Sequence, residues 1–129
     1  MTKNTRAASD GPVADLQRVA DEWIRAHGVR YFDPLTNMAI LAEEVGEVAR
    51  IMARRFGEQS EKPADKDRDL GEELADVLFV VLCLANQTGT DLQAAFARKM
   101  TVRTERDRQR HRSNPKLRSK PTAGRGRTR

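Results

Sequence analysis

Residues 41–48 read LAEEVGEV and residues 70–77 read LGEELADV. Four positions are identical, and the others are conservative exchanges. Each unit supplies an E-E-x-x-[ED] pattern inside an apolar frame. At about 100° per residue, Leu41, Val45, Val48 and Met52 share one helical face. Glu44 lies about 60° from the centre of that face and Glu47 about 120°, with Ile40 and Ile51 nearby. The second unit repeats the phase, with Glu73 and Asp76 beside Val80 and Leu84. Two helices therefore each place an i, i+3 carboxylate pair partly inside an apolar seam.

The rest of the chain is compatible with helix alone. No segment alternates with period two for long, and aromatics are only 5% of the residues. Four apolar-periodic stretches are expected to be helices. The first covers Val13 to about His27 and stops at Gly28. The second starts with Asp33 as N-cap and Pro34 in the first turn, and runs to about Phe56 before Gly57. The third runs from about Asp67 to Thr88, closed by Gly89. The fourth is capped by Thr90 or Asp91 and reaches about His111. Residues 58–66 form a charged loop broken by Pro63. The expected fold is all-α, a four-helix bundle protomer. Helix three is apolar over much of its circumference, so it is central or shared with a second subunit. Dimerisation is expected on that ground.

The 129 residues suit one domain, divided here into a disordered leader (1–12), a helical domain (13–112) and a disordered basic tail (113–129). The net charge of +5 is unevenly placed. Residues 106–129 carry ten Lys/Arg and one acid, a charge of +9, whereas residues 1–105 are −4. The tail has no aromatic for base stacking, so at most weak, nonspecific nucleic-acid contact is expected from it. The single cysteine, Cys83, excludes a disulfide framework and reads as buried packing. With no membrane-spanning run and no signal-peptide pattern, a cytoplasmic protein without a membrane partner is expected.

Carboxylates in an apolar seam require neutralisation. Helix two has arginine only from Arg50 onward, and helix three has none after Arg68, so a divalent cation is the simpler partner. Oxygen donors without His or Cys suit Mg2+, with Mn2+ as the alternative. Glu43 and Glu72, at the outer edge of the seam, could assist. Di-iron bundles use E-x-x-H pairs. His27 and His111 both lie at helix ends and neither follows a Glu at that spacing, which argues against redox iron.

The paired motif, Glu43, Glu44 and Glu47 followed by Glu73 and Asp76, resembles that of the MazG-like all-α nucleoside triphosphate pyrophosphohydrolases. The likeness runs from about Leu16 to Arg110 and extends to DPLTNMAILAEEVGEVAR and LADVLFVVLCLANQTG. It implies magnesium bound by Glu44, Glu47, Glu73 and Asp76. It implies hydrolysis of a nucleoside triphosphate at the α–β bond to monophosphate and pyrophosphate, with deoxyribonucleotides or non-standard nucleotides as substrates in a housecleaning role. It also implies a homodimer or homotetramer. The family's K-x-x-x-N-x-x-R pattern corresponds to Lys99, Arg103 and Arg106, with arginine where asparagine is usual. Asn86 matches a position that helps hold the sugar or base. In the implied reaction a water attacks phosphorus, oriented or deprotonated by Glu44 or Glu43, while Lys99, Arg106 and Arg103 neutralise the phosphates.

Two other readings compete: a nucleic-acid-binding helical protein acting through its basic tail, and a catalytically inactive structural helical dimer. Among individual residues, Trp23 is expected in the core. Asn37 is expected to make a local backbone hydrogen bond or reach substrate. Arg54 and Arg55 are expected to do no more than favour the helix dipole.

Overall fold

A computed structural model describes residues 9–119. The expectations for residues 1–8 and 120–129 lie outside the described residues. Every regular element among the described residues is helical. The four long helices are α1 (Pro12–Trp23), α2 (Pro34–Ile51), α3 (Leu70–Gln87) and α4 (Leu92–Asp107), followed by a single turn, α5 (Pro115–Arg118). The chain divides after Gln93 into two compact units. α1, α2 and α3 belong to the first, and most of α4 with α5 to the second.

The helix ends show why these stretches fold where they do. Asp33 accepts a hydrogen bond from the Thr36 backbone N–H at 2.9 Å, and Pro34 follows it in the first turn. That is the start read from Asp33-Pro34. α3 begins three residues later than expected. Asp69 is its N-cap, accepting from the backbone N–H groups of Gly71 and Glu72. It ends in a Schellman arrangement: Gly89 has φ +67°, and the Thr90 N–H reaches the Ala85 carbonyl at 2.8 Å. α1 and α2 each run on through a π-helical turn, Ile24–Gly28 and Met52–Phe56, to the glycines expected to stop them. The charged loop contains a 3-10 turn at Pro63–Asp65.

The N-terminus of α1 is completed from far along the chain. Its N-cap, Gly11, makes no side-chain cap bond. The Gln93 side-chain oxygen instead accepts from the Val13 N–H at 2.8 Å. Gly11 has φ +141°, a backbone conformation that favours glycine, and a Cβ there would lie 2.6 Å from the terminal amide of Gln93 and push that cap aside.

α3 packs against both α1 and α2. The core is small and gathers on the second half of α3: Val80, Leu82, Cys83 and Ala85 are buried there, with Ala14 and Ala20 of α1 and Ile51 of α2. The first half of α3 is open, with Leu74 and Leu78 half exposed. Cys83 is buried as expected, and burial pushes its thiol pKa up. Trp23 departs from expectation. It is 51% exposed, resting edge-on against Phe79 with ring centroids 5.7 Å apart. Among the described residues no helix is long and apolar enough to cross a membrane.

Candidate active site

The two acidic repeats meet where α2 passes the first turns of α3. Carboxylate oxygens of Glu44, Glu73 and Asp76 all lie within 4.8 Å of one another. Glu73 is only 9% exposed, in the first turn of α3, where the helix dipole favours a negative charge. Asp76 stands one turn further on and is exposed. Glu44 is half-buried on α2. Burial raises its pKa above the usual carboxylate range, and the nearby charges of Asp76, Glu73, Glu47 and Glu43 push in the same direction. Glu43 is exposed and adds only its field.

Three hard oxygen donors converging from two helices suit an oxygen-loving divalent cation. The fourth expected ligand, Glu47, is engaged otherwise. Arg68 donates from Nη1 to Glu47 at 2.5 Å, and from Nη2 and Nε to Glu73 at 2.8 and 3.1 Å. A basic residue therefore does serve this seam, where a divalent cation was the simpler expectation. Arg68 comes from the loop just ahead of the α3 N-cap, and a helical wheel does not show where a loop side chain reaches.

That loop is itself held by the arginines at the end of α2. Arg54 and Arg50 bond to the Asp65 carboxylate at 2.5 and 3.2 Å. Arg55 pairs with Glu61 at 3.2 Å and donates to the backbone oxygen of Arg68 at 2.9 Å. Burial alone would raise the pKa of Asp65, but hydrogen bonds and charge from Arg50 and Arg54 outweigh it and hold the carboxyl below its ordinary range. Arg54 and Arg55 thus do more than favour a dipole: they fix the segment that presents Arg68.

Asn86 lies ten residues beyond Asp76, about 15 Å along the helix axis. Its amide donates to the Gln17 carbonyl at 2.8 Å and to the Tyr31 hydroxyl at 3.1 Å, and its oxygen accepts from Gln17 at 3.1 Å. Tyr31 in turn donates to Asp21 at 2.6 Å. Asn86 therefore ties α1, α3 and the α1–α2 connection together. Asn37 is buried and donates across to Gln87 at 2.7 Å, rather than bonding locally.

The second unit, taken by itself, carries Lys99, Arg103 and Arg106. Their spacing puts them on one side of α4, and all three are exposed. The Arg106 guanidinium bonds to its neighbour Asp107 through Nη2 at 2.8 Å and Nε at 3.1 Å.

This arrangement, an all-α fold with paired acidic motifs on adjoining helices, coincides with a known enzyme class. Residues 32–111 match the MazG nucleotide pyrophosphohydrolase domain. YpjD, an uncharacterized protein of Bacillus subtilis (strain 168), is 41% identical over 102 residues, spanning 79% of this chain and 92% of that protein. YvdC from the same organism is 29% identical, over 72% of this chain and 96% of the relative. The crystal structure of Bacillus subtilis YPJD superposes with a TM-score of 0.63 at 42% identity, covering 72% of this chain and 95% of that one. The Bacillus-conserved MazG protein, a nucleotide pyrophosphohydrolase, gives a TM-score of 0.59 at 38% identity, covering 72% of this chain and 90% of that one. The chain belongs to the MazG nucleotide pyrophosphohydrolase family and is a hydrolase of that class.

Proposed function

We propose that the protein hydrolyses nucleoside triphosphates at the α–β bond, releasing monophosphate and pyrophosphate, with magnesium (or manganese) held by Glu44, Glu47, Glu73 and Asp76. The observation that carries the reading is the convergence of Glu44, Glu73 and Asp76 oxygens within 4.8 Å, inside a MazG domain. The bound ion would offset the charge of the triphosphate and of the departing pyrophosphate. Glu44, whose carboxylate belongs to the close group, takes the proton of the attacking water, with Glu43 as the alternative. As water oxygen bonds to the α-phosphorus, the bond to the bridging oxygen breaks and pyrophosphate leaves. Lys99, Arg103 and Arg106 are assigned to the phosphates. Asn86 acts as a positioning residue, since its amide is already engaged by Gln17 and Tyr31.

Deoxyribonucleotides or non-standard nucleotides are the proposed substrates, and housecleaning of the cytoplasmic pool the proposed role. A homodimer or homotetramer is proposed because half of the apolar residues of α3's first turns, and Val19 and Trp23 of α1, are left open in one copy. Glu47→Gln and Asp76→Asn are the direct test. Each should abolish magnesium-dependent pyrophosphate release while the far-UV dichroism stays unchanged. Near-normal turnover in both variants would sink the assignment. Deleting residues 113–129 should leave hydrolysis intact, whereas a nucleic-acid binder acting through its tail would lose its affinity.

A further inference from the structure

The cation that Glu47 and Glu73 engage belongs to the chain itself. We propose that Arg68 is a built-in competitor of the divalent ion: its guanidinium occupies the oxygens of Glu47 and Glu73, and it must give up at least Glu47 for all four carboxylates to ligate together. This inference rests on the metal site of the preceding reading and adds a device that sets its affinity.

Three observations carry it. Arg68 uses all three of its nitrogen atoms on these two carboxylates, at 2.5, 2.8 and 3.1 Å. It takes one oxygen from each acidic repeat, so it bridges the two helices as a metal ion would. Glu47, bonded to Arg68, lies outside the close group formed by Glu44, Glu73 and Asp76. The arginine is also anchored for this role. Arg55 grips its carbonyl oxygen at 2.9 Å, and Asp69, the α3 N-cap, is the next residue. The backbone at residue 68 is thus fixed while the side chain, about a third exposed, has room to swing away. The consequence is a trade. With the ion absent, Arg68 relieves the repulsion between the repeats; with the ion present, it is a positive charge opposing another.

The test is Mn2+ titration of the full-length protein, followed by electron paramagnetic resonance, on wild type, Arg68→Gln and Arg68→Lys. Removing a unit positive charge a few ångströms from the ion should tighten Mn2+ binding about tenfold in Arg68→Gln. In EDTA the same variant should melt below wild type, and its gain in Tm on adding Mn2+ should exceed the wild-type gain. Arg68→Lys should fall between, because an ammonium keeps the charge but not the fork. Unchanged or weaker Mn2+ binding in a folded Arg68→Gln would overturn the proposal while leaving the metal site standing. Should Arg68→Gln not fold, the lysine variant decides: affinity equal to or below that of wild type refutes competition. If wild type itself binds no Mn2+, the metal reading fails, and the competition proposal with it.

Discussion

Glu44→Gln should stabilise the protein in EDTA and inactivate it in magnesium. The carboxylate oxygens of Glu44, Glu73 and Asp76 lie within 4.8 Å of one another. Two unit charges at that separation repel by about 1–2 kcal/mol at an effective dielectric of roughly 40–80, the range suited to a site open to water. Arg68 already offsets much of the Glu73 charge, so the repulsion that Glu44 feels comes chiefly from Asp76. Glutamine has nearly the same shape and removes that charge. The gain should be about 1–2 kcal/mol, or roughly 3–8 °C in Tm for a chain of this size. Thermal unfolding at neutral pH, in EDTA and then in excess magnesium, measures it. Wild type should gain more from magnesium than the variant does, and the curves should close or cross. The pH dependence has the same origin. A carboxyl whose folded pKa is raised contributes stability below its unfolded pKa and loses it as pH rises through the folded value. In EDTA the advantage of Glu44→Gln should therefore appear as pH climbs from about 4 toward neutrality and fade in acid. A variant less stable than wild type in EDTA at neutral pH would refute the view that these carboxylates repel one another.

Other positions give independent checks. Val29 has φ +69° and is 89% exposed, at the centre of a tight turn closed by Arg30 N–H to Gly28 carbonyl at 2.8 Å; Val29→Gly should relieve strain there and raise stability by about 1 kcal/mol in denaturant unfolding. Asn86→Ala removes hydrogen bonds to Gln17 and Tyr31 and should cost about 2–3 kcal/mol, read as a lower urea midpoint. Tyr31 is the chain's single tyrosine, so phenolate absorbance reports it alone. Burial, and its hydrogen bond to Asp21, push its pKa up to about 12, so stability should hold to about pH 10 and fall above it; a midpoint near 10 in the folded protein would contradict the network.

The parts legible in the sequence were those settled within a few residues. Asp33-Pro34 marks a helix start because the cap bond closes onto Thr36, three residues away. The repeated octapeptide puts Glu44, Glu73 and Asp76 at matching phases because helical phase is a local property, but the covered side of α2 runs through Asn37, Glu44 and Ile51, while Val45 and Met52 of the apolar stripe stay half exposed. What escaped depends on distant partners. Arg68 sits in a loop, and its reach to Glu47, 21 positions earlier, depends on Arg50 of α2 and on Arg54 and Arg55 of the π-helical turn that follows it. Asn86 pairs with Gln17 across 69 positions, so its local pattern does not distinguish a tie between helices from a ligand contact. Trp23 lies on a periodic apolar stripe, yet half of it is open, with the Phe79 ring packed T-shaped against it and the His27 ring tilted beside it.

If the acidic site works as proposed, it directs water to the α-phosphorus of a nucleoside triphosphate. The most direct measurement is product analysis by phosphorus NMR. Ribo-, deoxyribo- and modified triphosphates would be incubated with magnesium in water enriched in oxygen-18. Pyrophosphate should come off free of label and nucleoside monophosphate should carry it, with no product in EDTA. Release of orthophosphate and nucleoside diphosphate, or label in the pyrophosphate, would contradict it.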